Sequence, residues 1–90
     1  GLSLQPVTPE IARQLQLPAE TEGLVVIDVD ANGAAAEEGI IRGDVILEIN
    51  RQTVKTVDEV QSALDKAGNR PIALLVSRKG RTSYLTISPR

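Results

Sequence analysis

Gly39-Ile40-Ile41-Arg42-Gly43-Asp44-Val45-Ile46-Leu47-Glu48-Ile49-Asn50 carries a turn and a strand in one short run. Gly43 stands where the backbone must turn sharply, and the Asp44 carboxylate can accept hydrogen bonds from nearby backbone amides. Val45, Leu47 and Ile49 then recur at every second position, which predicts one buried face of a strand. Arg42-Gly43-Asp44 also spells an adhesion tripeptide, but it runs straight into that strand. The stretch therefore reads as turn plus core strand, a piece of scaffold.

The neighbouring segments extend the same pattern. Upstream, Leu24–Val29 predicts a strand with Val25, Ile27 and Val29 on one side and Asp28 and Asp30 facing outward. Asn32-Gly33 makes a turn, and residues 34–38 give barely more than one helical turn, stopped at Gly39. Leu2-Ser3-Leu4-Gln5 alternates and runs into Pro6, as expected of a short strand with a free edge. Thr8 caps a helix that has Pro9 in its first turn, with Ile11 and Leu15 on one face. Downstream, Thr56-Val57-Asp58-Glu59 is a capping-box pattern ahead of an apolar stripe of Val57, Val60, Ala63, Leu64 and Ala67. Gly68-Asn69 and Pro71 end that helix. Ile72, Leu74 and Val76 alternate with Ala73, Leu75 and Ser77, so this strand is apolar on both faces and belongs inside the sheet. Residues 78–81 form a hairpin tip, expected to be solvated, and 82–87 the last strand. The expected fold is mainly β with helices (α+β). It is a partial antiparallel barrel or sandwich of five to six short strands capped by two helices.

Ninety residues form a single domain, 1–90, with one two-layer core. There is no Phe, Trp, Met or Cys and one Tyr, so the core must be aliphatic. The formal net charge of −2 is scattered along the chain, and no basic stripe is present for nucleic acid. No apolar run reaches membrane-spanning length, and no signal peptide is seen. The chain contains neither His nor Cys. The usual general base, the thiolate nucleophile and the common strong zinc ligands are all missing, so neither catalysis nor a metal or other cofactor is expected. Because the chain opens inside a strand, it is expected to be a piece of a longer protein.

Residues 39–50 resemble the PDZ signature G-L-x-x-G-D-x-I-L-x-V-N. Residues 34–39 resemble the short A-A-x-x-A-G helix that precedes it, and 56–68 the long helix flanking the PDZ groove. One departure is Asn32-Gly33, where PDZ domains usually place Ser-Pro. The resemblance implies a peptide-binding module that adds a peptide strand to an exposed sheet edge beside a helix. It assigns Gly1, Leu2, Ser3, Leu4 and Gln5 to the carboxylate-binding loop and the receiving strand, where Gly1 would let consecutive amides hold an anion. Val57, Gln61 and Leu64, at i, i+4 and i+7, would form the opposite wall, leaving Val60, Ala63 and Ala67 to the core. PDZ domains that prefer Ser or Thr two residues before the peptide end commonly carry His at the position of Val57. An apolar Val57 therefore implies a ligand ending apolar-x-apolar, with Leu, Val or Ile last.

With no strand ahead of the loop, the strand at 82–87 would fill the missing sheet position, an order typical of bacterial PDZ domains. The opening Gly-Leu-Ser-Leu-Gln-Pro-Val-Thr-Pro-Glu and the small helix at 11–15 resemble the HtrA/Do-type trypsin-like serine proteases of the periplasm. That resemblance implies C-termini of unfolded or misfolded proteins as ligands, an attached protease domain as partner and a trimer-based homo-oligomeric parent. The alternatives are a membrane metalloprotease, a C-terminal processing protease, a non-proteolytic secretion or scaffold protein, or a groove used between subunits.

Overall fold

A computed structural model describes residues 2–88. In chain order the elements are β1 (Leu2–Pro6), α1 (Pro9–Gln14), β2 (Leu24–Val29), α2 (Ala34–Glu37), β3 (Val45–Ile49), β4 (Gln52–Thr53), α3 (Val57–Ala67), β5 (Ile72–Arg78) and β6 (Arg81–Ile87). All the strand pairs are antiparallel, and the sheet runs β1-β2-β3-β5-β6 with β4 hairpinned onto β3. β1 and β6 therefore hold opposite edges, and the last strand lies far from the first. β5 lies between β3 and β6, as its two apolar faces require.

Two bulges correct the expected strand faces. Ser3 faces Asp28 and Leu4 faces Val26, which leaves Ile27 without a partner. Likewise Ile46 pairs with Val76 and Glu48 with Leu75, so Leu47 is the extra residue. Each bulge shifts side-chain parity by one. The core face is accordingly Leu24, Val26 and Val29 in β2 and Ile46 and Ile49 in β3, not the sets expected from strict alternation. Val25 and Val45 pair across β2 and β3, and Val45 pairs with Ser77. All three side chains are buried on the reverse face, which the segment around α1 covers. α1 starts at Pro9, directly after its expected cap Thr8, but its buried residue is Ala12, while Ile11 and Leu15 are only half-buried.

Local chemistry fixes the helices. The Ile11 amide donates to Thr8 Oγ1 at 3.2 Å, the expected cap of α1. At α3 the Glu59 amide donates to Thr56 Oγ1, while Glu59 Oε1 accepts from the amides of Lys55 and Thr56 at 2.8 and 3.1 Å. Several orphan donors of the first turn are thus satisfied. Thr56→Ala is expected to lower stability by about 1 kcal/mol in urea unfolding, because one capping acceptor is lost. Gly23, just ahead of β2, packs against the backbone of β3: a Cβ there would meet the Ile46 carbonyl oxygen at 2.6 Å. Backbone at that distance cannot yield, so only glycine fits.

The hairpin tip is not simply solvated. Asp44, fully buried, accepts from Arg78 Nε and Nη2, both at 2.8 Å, and from the Ile41 amide at 3.0 Å. Arg78 Nη2 also donates to the Gly39 carbonyl at 2.7 Å. The carboxylate at the head of β3 is thereby tied to the end of β5. Burial of Asp44 also removes the adhesion reading of Arg42-Gly43-Asp44, since its acid is turned inward.

Candidate functional site

α3 lies along β1 and leaves a cleft between them. β1 has β2 on one side only, so its outer main-chain edge is unpaired by any other strand of the sheet. Pro6, which has no N–H to give a ladder, ends this edge strand at no cost in hydrogen bonds.

Leu2 and Leu4 from β1 and Val57, Gln61 and Leu64 from α3 line one cleft of about 310 Å³. That volume is at the small end of ligand pockets, roughly 300–1,000 Å³. Its floor is apolar, with Ile46, Ile49 and Leu74 from the sheet beneath it. Val57 and Leu64 are large apolar side chains left 49 % and 38 % exposed, while Val60 and Ala67 on the same helix are buried. α3 therefore has two apolar stripes: one is spent on the core and the other faces open space. This division matches the expected one, with Ala63 partly buried against the core.

Ser3 and Gln5 share the strand with Leu2 and Leu4 but point away from the cleft and are exposed. They can contribute main-chain groups to the edge, not side chains to the cleft. Gly1 lies outside the described residues. Gln61 is held in place: its Nε2 donates to Asp65 Oδ1 at 3.0 Å. A carboxylate only accepts, so the amide turns its NH₂ toward Asp65 and keeps its own oxygen free. Asp65 does not itself line the cleft, and its role in holding Gln61 was not foreseen. The signal was available in its i, i+4 spacing from Gln61. Ala34 of α2 also lines the cleft, a residue the sequence did not single out for the site.

Chemically, the cleft offers apolar area, an unpaired strand edge and one oriented amide. Among the described residues no group of three or more His, Cys, Asp or Glu side chains could hold a metal ion.

Comparison with known proteins agrees with this geometry. A sequence model of the PDZ domain matches residues 25–78. The chain is 34 % identical over 89 residues to a periplasmic DegP-like serine endoprotease of Chlamydia pneumoniae, covering 99 % of this chain and 18 % of that protein. It is 36 % identical over 89 residues to a Vibrio cholerae protein named as a zinc metalloprotease, covering 99 % of this chain and 17 % of that protein. It thus spans less than a fifth of the length of these curated relatives. Among solved structures, the HtrA-type protease AlgW with a decapeptide superposes with a TM-score of 0.82 at 34 % identity, over 98 % of this chain and 27 % of AlgW. The HtrA3 PDZ domain bound to the phage-derived ligand FGRWV gives 0.83 at 24 % identity, over 100 % of this chain and 82 % of that one.

Proposed function

Since the chain belongs to the PDZ domain family, we propose that it is a peptide-binding module. The ligand is the C-terminal tail of another protein, added as an antiparallel strand to the free edge of β1. Main-chain groups of Ser3, Leu4 and Gln5 supply the ladder, and the amides around Gly1 and Leu2 receive the terminal carboxylate. The last side chain, Leu, Val or Ile, enters the cleft between Leu2, Leu4 and Leu64, and the residue two before it meets Val57 and Gln61. The observation that carries this reading is the cleft itself: an unpaired edge strand and an exposed apolar helix stripe face each other across it.

The parent is an HtrA/DegP-type serine endoprotease of the periplasm, assembled from trimers, and the chain contributes binding while an attached domain does the chemistry. In that setting the module presents tails of unfolded or misfolded proteins and regulates the protease. Identity to several periplasmic DegP-like proteins supports this assignment. The Vibrio cholerae relative favours a second reading, a module of a membrane metalloprotease. The parent's other segments separate the two, by a trypsin-like His/Asp/Ser set or by an HExxH helix.

Carboxylate recognition is tested with one labelled peptide made as free acid and as amide. The acid is expected to bind at least about tenfold more tightly, the equivalent of a charge-assisted hydrogen bond or more. Equal binding of the amide would overturn the carboxylate role.

A further inference from the structure

The bulge at Ile27 shapes the outer side of the same edge. Val26 and Val29 both turn to the core, so the two residues between them, Ile27 and Asp28, both turn outward. Ile27 is 42 % exposed, an unusual place for a large aliphatic side chain, and Asp28 beside it is exposed as well. The Asp28 carboxylate has no hydrogen bond or ion pair among the described residues. Asp28 stands directly opposite Ser3 in the ladder.

A tail added to β1 sets each of its residues opposite one of β1, with side chains of a pair on the same face. With its last side chain in the cleft beside Leu2, its penultimate side chain stands beside Ser3, on the side away from the cleft. The row across the sheet is then penultimate residue, Ser3, Asp28, spanning two strand spacings, roughly 10 Å. Ser3 is short and leaves the row open. A long side chain can lean across it, lay its methylenes on Ile27 and bring a cationic head to Asp28.

We infer that this face selects lysine or arginine as the penultimate residue of the bound tail, with Ile27 and Asp28 as the specificity-determining pair. The inference rests on the groove reading above and adds a position that the cleft does not contact. Where the cleft reads the last and third-last side chains by apolar fit, the bulged strand reads the one between them by charge.

The test uses three free-acid peptides of one sequence, ending in Lys-Val, Gln-Val or Glu-Val, titrated by fluorescence anisotropy into the chain and into Asp28→Asn and Ile27→Ser. The Lys peptide is expected to bind roughly 2–5-fold more tightly than the Gln peptide, as an exposed ion pair allows, with the Glu peptide weaker still. The Lys/Gln ratio should fall to about one in Asp28→Asn, decrease in Ile27→Ser, and shrink in about 0.5 M salt. Asp28 and Ile27 are exposed, so thermal melts should show both variants folded. Equal binding of Lys and Gln peptides to the unaltered chain, or a preference that survives in Asp28→Asn, overturns the inference and leaves the groove standing. If none of the three binds while the chain is folded, the groove reading fails, and this inference with it.

Discussion

Leu64→Asp is expected to weaken binding of an apolar C-terminal peptide by at least about 100-fold while leaving the domain folded. Leu64 lines the cleft and is 38 % exposed, so its side chain is available to a ligand and not committed to the core. Burying an apolar side chain against it contributes on the order of 1.5–3 kcal/mol, and a carboxylate there removes that term. The substitution also places a negative charge in the wall of a cleft proposed to receive a carboxylate-ended chain. Together these exceed the ~2.7 kcal/mol that a 100-fold change requires. The folded state loses much less. Asp in place of Leu costs about 0.5 kcal/mol of helix propensity and up to about 1 kcal/mol near the negative end of the α3 dipole. Ser62→Asp, on the same helix but outside this cleft, is the matched control and should bind as the unaltered chain does. Normal binding by folded Leu64→Asp would remove the groove assignment.

The contrast between Leu64 and Ile27 shows what the sequence reveals and what it conceals. α3 was legible because each of its signals is local: a Thr-x-x-Glu cap, an apolar stripe at three- and four-residue spacing, and Gly68 at the stop. The split of that stripe into buried and exposed residues was legible too, since a polar Gln61 at helical spacing from Val57 and Leu64 conflicts with a fully buried face. The strand faces were not legible. Alternation assumes that pairing proceeds without insertion, and nothing within Leu24–Val29 or Val45–Ile49 announces that Ile27 and Leu47 lack partners. Those bulges depend on the neighbouring strand, a tertiary fact. Leu2 and Leu4 do share one face, as alternation predicts, because the extra residue is inserted in β2 and β1 alternates without interruption. Arg78 was misjudged for a related reason. Its partner Asp44 is 34 residues away, and a charge in a basic hairpin tip looks solvated until the fold brings a buried acid beneath it.

That ion pair supports the prediction with the largest expected effect on stability. Arg78→Met is expected to cost about 2–4 kcal/mol, because it strips a fully buried carboxylate of its cationic partner. Asp44 would retain the Ile41 amide as donor, and the Gly39 carbonyl would lose the Arg78 Nη2 donor. The arginine side chain is itself 47 % exposed, so water can reach the vacated position, which places the expected cost below the top of the range for buried pairs, about 3–5 kcal/mol. For a domain whose total stability is on the order of 5–15 kcal/mol, such a loss is a large fraction. It corresponds to a fall in Tm of roughly 10–25 °C. Arg78→Lys should recover only part of it, since an ammonium cannot bridge both carboxylate oxygens and the Gly39 carbonyl as the guanidinium fork does. The double variant Asp44→Leu with Arg78→Met should be more stable than Arg78→Met alone, because no buried charge is then left unpaired. Urea unfolding of the unaltered chain, Asp44→Leu, Arg78→Met and the double variant closes the thermodynamic cycle. A coupling energy near zero, or a loss below about 0.5 kcal/mol in Arg78→Met, would mean that the Asp44–Arg78 pair does not hold the turn at residues 39–44 in place. Peptide binding at temperatures where the variants remain folded should be unchanged, since neither side chain lines the cleft between β1 and α3.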